Sequence, residues 1–212
     1  MPLLPFILAM AGVVLASNIL VQFVIAGGFL TWGAFTYPFA FLVTDLANRL
    51  LGAAAARRVV LWGFATGVLC SLIGSQVMLE TGPAVPLRVA VASGAAFLAA
   101  QLLDVAIFQR LRGTGRWWHA PLLSSLTASV LDTLLFFGIA FSASAGLLFP
   151  GGANAVVAWA QEAVPFLGLG PALPLWASLA VADWGVKVTL ALLALLPYRA
   201  LVMALTPRSA RS

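Results

Sequence analysis

Apolar stretches long enough to cross a bilayer fill most of this chain, and lone carboxylates sit inside them. A spanning helix needs about 20 predominantly apolar residues. Six stretches approach that length: Leu3–Ile25, Gly33–Leu51, Val59–Leu79, Leu87–Phe108, Ala120–Leu148 and Leu175–Leu196. In hydrocarbon every backbone polar group must be satisfied within the protein, so such stretches fold as helices. The expected fold is an all-α polytopic membrane protein of about six transmembrane helices, forming one transmembrane domain over residues 1–212.

Composition removes the soluble alternative. The chain is 63% hydrophobic and 8% charged, whereas soluble domains carry about 25% charged residues. The net charge of +5 comes mostly from arginines in short runs between the apolar stretches. Arg49 lies at the end of the second stretch with Arg57 and Arg58 after it, Arg110, Arg112 and Arg116 separate the fourth from the fifth, and Arg208 and Arg211 lie near the end. Arg88, beside Glu80, is alone in an opposite loop. The positive-inside rule then places both termini in the cytoplasm. The basic runs suit anionic lipid and do not suggest nucleic acid. The start of the sequence lacks the basic opening of a secretory signal and reads as a first span. Cys70 is the sole cysteine and His119 the sole histidine, so neither an internal disulfide nor a thiolate or histidine metal site is expected. No cofactor is expected.

The polar residues inside the spans carry the functional signal. A charged side chain at the bilayer centre costs roughly 2.5–3.5 kcal/mol on insertion scales, and Asp45, Asp104, Asp132 and Asp183 all fall in such places. Asp45 precedes Arg49 by four positions, so it either pairs with that arginine on its own helix or accepts hydrogen bonds from a ligand. Asp132 has no basic residue within a helical turn and must find a partner on another span, a proton or a substrate. Asp104, with Gln101 three positions before it, is either a packed helix end or a proton-coupling group. Asp183 and Lys187 are four apart and form either a structural ion pair or a gate. Asn18 and Gln22 share one face of the first span and either bind substrate or hold helices together. Phe35, Tyr37 and Phe39 surround Pro38, whose break in the helix frees backbone groups for binding; these aromatics belong to an interfacial belt or stack on a flat heteroaromatic ligand. Asp45 and Asp132 occupy matching places in two three-span halves, which points to an inverted 3+3 repeat of the kind transporters use. Trp117 and Trp118 read as interfacial anchors.

Together these stretches resemble the queuosine precursor transporters of the vitamin-uptake-transporter group. The resemblance rests on SNILVQ (Ser17–Gln22), TWGAFTYPF (Thr31–Phe39), FLVTD (Phe41–Asp45), ARR (Ala56–Arg58), QLLD (Gln101–Asp104), RLR (Arg110–Arg112), RWW (Arg116–Trp118), DTLLFFGIAF (Asp132–Phe141) and VADWGVK (Val181–Lys187). Their order is kept across all the expected spans. The chain departs from the family pattern in the Gly/Pro-rich stretch Gly146–Pro174, which looks like an insertion, and at Trp184, where the family commonly has tyrosine.

The resemblance implies import of 7-cyano-7-deazaguanine, and of 7-aminomethyl-7-deazaguanine, across the bacterial inner membrane for queuosine modification of transfer RNA. It also implies six helices and a general likeness to the binding subunits of energy-coupling-factor importers. A deazaguanine presents a ring N–H beside an exocyclic amine, and one carboxylate can accept both. Asp45 and Asp132 suit that role, Asp132 more so because it lacks a local partner. Asn18 or Gln22 would bond the carbonyl edge, and Phe35, Tyr37 or Phe39 would cover the ring. Asp104, Asp183 and Lys187 remain for gating or proton coupling. The expected partners are this deazapurine and the lipid bilayer. The alternative is a substrate-binding subunit of an energy-coupling-factor-type importer for a related small heteroaromatic compound. An intramembrane serine–histidine enzyme is disfavoured, because Ser93 and His119 belong to opposite ends of the membrane.

Overall fold

The computed structural model describes residues 2–25, 30–80, 82–113 and 115–206. Arg208 and Arg211 therefore lie outside the described residues. The chain is mostly helical, in the order α1 (Leu4–Leu20), β1 (Val24–Ile25), β2 (Leu30–Thr31), α2 (Trp32–Thr36), α3 (Phe39–Leu51), α4 (Ala53–Gln76), β3 (Met78–Leu79), β4 (Gly82–Pro83), α5 (Leu87–Leu111), α6 (His119–Phe141), α7 (Gly151–Ala155), β5 (Ala163–Pro165), β6 (Ala172–Pro174) and α8 (Leu175–Leu205). Three antiparallel hairpins, β1–β2, β3–β4 and β5–β6, cap one end of the bundle. The other end carries Arg49, Arg57, Arg58, Arg110, Arg112 and Arg116 at helix termini and turns. Arg199 stacks on Trp117 there, 4.9 Å from the ring centroid, which brings the last turns of α8 to the same basic end.

Among the described residues, four helices are long and apolar enough to cross a membrane: α4, α5, α6 and α8. Helix α1 is shorter, at 17 residues. The second expected span is divided at Pro38 into α2 and α3, because proline has no N–H to offer the preceding turn. The fifth expected span ends at Phe141, not Leu148, and residues 142–174 fold into short helical turns and a hairpin. The sixth expected span stops at Leu196, before Pro197, a residue that ordinarily closes a helix. Pro197 lies inside α8, which continues to Leu205. The continuation holds because Tyr198, only 4% exposed, packs edge-on against Phe108 of α5.

Helices α1, α3, α4 and α5 enclose the main core of Phe6, Met10, Val59, Val60, Phe97 and Phe108. Gly63 lets α1 and α4 approach closely: a Cβ there would stand 2.5 Å from Met10 Cγ. Gly52, at φ +89°, makes the one-residue turn from α3 into α4. Helix α6 packs along α5 on one side and against α8 on the other. Outward faces carry Leu4, Leu8, Leu61, Leu72, Leu192 and Leu196, the surface a lipid-embedded bundle presents to acyl chains.

Candidate functional site

Two buried polar layers lie along α6. Its small hydroxyl residues Ser124, Ser125, Ser129 and Thr133 face inward, where they let neighbouring helices come close and give them hydrogen bonds. Ser125 and Asp132 are seven residues apart, which separates the layers by about 10 Å along the helix axis.

The layer nearer the middle of α6 is an ion triad. Lys187 of α8 donates to Asp132 Oδ2 at 2.6 Å and to Asp183 Oδ2 at 2.5 Å. It also donates to Thr133 Oγ1 at 3.1 Å, and Thr133 in turn donates to Asp183 Oδ2 at 3.1 Å. Tyr37 donates its hydroxyl to Asp132 Oδ1 at 3.4 Å and sets its ring edge against Phe97. Low local polarity strengthens each of these contacts. Asp183 and Lys187 thus pair as their spacing suggests. Asp132 does not stand alone: its missing local partner is Lys187, 55 positions along the chain on another helix. Of the alternatives left open for Asp132, a partner on another span is the one the structure supplies.

The layer nearer the basic end is built on α3, α5 and α6. Asp45 is 3% exposed and Asp104 is fully buried. Asp45 does not pair with Arg49. Ser124 donates to its Oδ1 and Ser125 to its Oδ2, each at 3.4 Å. Among the described residues both ion pairs belong to Lys187, so no cation neutralises this layer. The carboxyl of Asp104 lies beside that of Asp45 and the same two serines, and neither Asp104 oxygen has a hydrogen-bond partner of acceptable geometry. Thr44 donates to Gln101 Oε1 at 2.5 Å, and Asn48 donates to the Val105 carbonyl at 3.0 Å, which fixes α3 against α5.

Asp45 also lines a cleft between α3, α6 and α8, walled by Phe41, Pro121, Ser125, Ala194 and Tyr198. Its water-sized room is about 20 Å³, enough for a water molecule and too little for a fused heterocycle. The helices must part for a larger ligand to reach the carboxylate.

The remaining expected site residues lie apart from both layers. Asn18 donates to the Val14 carbonyl of its own helix at 2.9 Å. Gln22 is exposed and reaches the Ala84 carbonyl at 3.4 Å. Phe35 packs on Trp32 with centroids 6.0 Å apart, and Phe39 is 44% exposed. Sequence reasoning missed Ser124 and Ser125 as partners of Asp45. Their only signal was a hydroxyl-rich stretch seven residues before another buried aspartate. It also missed Arg88, which is 3% exposed. Its guanidinium donates to the carbonyls of Ile139 and Ser142, both at 2.9 Å, and to Asn154 Oδ1 at 2.9 Å.

Residues 31–202 match the sequence profile of the family described as "Putative vitamin uptake transporter". A protein named "Queuosine precursor transporter" from Escherichia coli is 41% identical over 141 residues, covering 61% of this chain and 64% of that one. A "Probable queuosine precursor transporter" from Haemophilus influenzae is 39% identical over 125 residues, covering 54% of this chain and 53% of that one. In both cases the match spans less than two thirds of the relative's length. Another of that name from Bacillus subtilis is 28% identical over 199 residues, covering 86% of this chain and 75% of that one. No solved structure matches the chain.

Proposed function

The chain belongs to the vitamin uptake transporter family, and from that premise we propose that it imports queuosine precursors, 7-cyano-7-deazaguanine and 7-aminomethyl-7-deazaguanine, across the bacterial inner membrane. The three relatives bear queuosine precursor transporter names. The basic end faces the cytoplasm by the positive-inside rule, with both chain termini on that side. The membrane is crossed six times, with α1 and the broken α2–α3 unit completing the four long helices. The crossings form two inverted halves. Asp45 lies six positions from the basic end of α3, and Asp132 nine positions from the hairpin end of α6.

One observation carries the assignment of the site. Asp45 is a buried carboxyl at the wall of a cleft, held by two serines and no cation. A deazaguanine offers two N–H donors side by side, and a carboxylate accepts both in a charge-assisted pair. Phe41 and Tyr198 supply aromatic walls beside it. Asp132, already neutralised by Lys187, serves instead with Asp183 as the gate between the cleft and the hairpin end. Tyr37 hangs on that gate through its bond to Asp132. Phe35, Phe39, Asn18 and Gln22 line the route from the hairpin end when the helices part. Alternating access moves α8 against α3 and α6, the helices that wall the cleft.

The test is growth and modification. A host unable to make the precursor, expressing this chain and fed 7-cyano-7-deazaguanine, recovers queuosine in its transfer RNA. The Asp45→Asn variant, expressed at the same level, does not. Recovery by a host carrying an empty vector, or full recovery with the variant, sinks the assignment.

A further inference from the structure

We infer that Asp45 and Asp104 form a single buried binding site for one exchangeable proton, placed directly behind the cleft. Two neighbouring carboxyl groups, almost wholly removed from water, cannot both stay ionised without a neutralising partner. Among the described residues the structure offers none. Helix α3 contributes Thr44 and Asn48, but both are engaged with α5, and Arg49 leaves Asp45 unpaired. Helix α5 contributes Gln101, whose Oε1 accepts from Thr44 and whose amide nitrogen is buried without an acceptor. Helix α6 contributes only the hydroxyls of Ser124 and Ser125, with His119 at its first turn bonded to the Arg116 backbone. Helix α8 contributes Tyr198, an uncharged phenol that lines the cleft with Asp45. Arg112 itself donates to the Asn48 carbonyl at 2.9 Å and to Gln109 at 3.3 Å. Helix α4 brings Arg57 and Arg58 to the basic end, in no ion pair.

The fully buried Asp104 oxygens, which make no hydrogen bond of acceptable geometry although the Ser124 and Ser125 hydroxyls lie near, are the independent sign of a missing ligand. A proton supplies what they lack. Placed on either carboxyl, it makes an O–H···O⁻ bond between the two groups, a short and strong kind of contact. The two serines then hold the Asp45 end, and the pair carries one negative charge instead of two. Asp45 also faces the cleft, so a ligand that donates two N–H groups to Asp45 competes for the same oxygens. The proton then shifts to Asp104 or leaves. This consequence for transport rests on the substrate reading above; the proton site itself does not.

The experiment has two arms. In the first, the full chain with ¹³C-labelled aspartate is placed in lipid nanodiscs and its infrared spectrum is recorded at pH 7. A protonated-carboxyl C=O band that moves with the label is expected. It is lost in the Asp45→Asn/Asp104→Asn double variant and kept in Asp132→Asn. Absence of the band from the wild type, or its survival in the double variant, overturns the inference. If the double variant does not fold, Asp104→Asn alone must move the band, because the proton's acceptor changes from carboxylate to amide; an unmoved band overturns it too. In the second arm, wild-type liposomes are tested for counterflow of labelled 7-cyano-7-deazaguanine and then for net uptake under a one-unit inward proton gradient. One proton per substrate sustains accumulation of up to about tenfold. Counterflow without accumulation, or accumulation driven only by sodium, overturns coupling through this pair. The infrared band without counterflow instead removes the substrate reading and leaves the proton site standing.

Discussion

Lys187 on α8 reaches Asp132 on α6 at 2.6 Å, and the same nitrogen holds Asp183 one turn back on its own helix at 2.5 Å. A single ammonium thus neutralises acids on two helices. Its hold on Asp132 is an ion pair that ties α8 to α6, while much of the rest of α8 faces outward. Removing one partner of a buried pair leaves a bare charge, at a cost of about 3–5 kcal/mol. Lys187→Met strands two carboxylates, whereas Asp132→Asn leaves Lys187 its bond to Asp183. The lysine variant should therefore unfold at clearly lower temperature in detergent than Asp132→Asn. Equal melting temperatures would show that the triad does not hold the helices together.

Asp45→Asn and Asp132→Asn should separate the two polar layers functionally. An amide at position 45 presents one acceptor and an unwanted donor to a ligand that itself donates twice. Sites that hydrogen-bond a substrate group discriminate strongly when the pairing is lost. A hydrogen bond to a charged group contributes about 1.5–3 kcal/mol, so uptake of labelled precursor into liposomes should fall at least about tenfold in Asp45→Asn. The Asp132→Asn variant should retain more activity. The reverse ranking, or normal uptake by both, removes Asp45 from the ligand.

How much of this was legible in the sequence follows from which forces act locally. The long apolar runs already dictate helices, because the chain has no other way to satisfy its backbone in lipid. The break at Pro38 was visible for the same local reason, the missing N–H. Pro197 followed the same rule and gave the wrong helix end, since the Tyr198 contact with Phe108 lies outside any local window. Among the site residues, the Asp183–Lys187 pair could be read from spacing because both lie on one helix. Asp132 with Lys187, and Asp45 with Asp104, could not. Each joins two helices whose rotation and depth are set by packing, such as the approach of α1 and α4 at Gly63.

That approach gives a stability prediction. A methyl at Gly63 would sit 2.5 Å from Met10 Cγ and 3.0 Å from Phe97 Cζ. The Met10 side chain is flexible and yields part of the space, but it is fully buried and has little room to move. Gly63→Ala should be mildly destabilising, and Gly63→Val should cost about 1–3 kcal/mol by overpacking. Thermal melting of the two variants in the same detergent checks the order. A Gly63→Val protein as stable as the wild type would mean that α1 rides loosely on α4.

Arg88 makes the last prediction, at the hairpin end. It sits in the first turn of α5 and is buried. Among the described residues its guanidinium meets no acid; instead Nη2 donates to the Ile139 and Ser142 carbonyls and Nη1 to Asn154 Oδ1, with Phe149 stacked 5.4 Å away. The carbonyls at the end of α6 have no further turn to receive them, and a cation there also meets the negative end of the helix dipole. Asn154 completes the latch by donating to the Gly146 carbonyl at 2.9 Å. One side chain therefore ties α5, the end of α6 and residues 146–154 together. Lysine carries the same charge without the planar fork and cannot make the three bonds at once. Arg88→Lys should speed amide hydrogen exchange at residues 146–154 while leaving α4 unchanged, and Arg88→Ala should do so more strongly. Exchange that rises uniformly through the bundle would assign Arg88 to global stability, and unchanged exchange at 146–154 would remove the latch altogether.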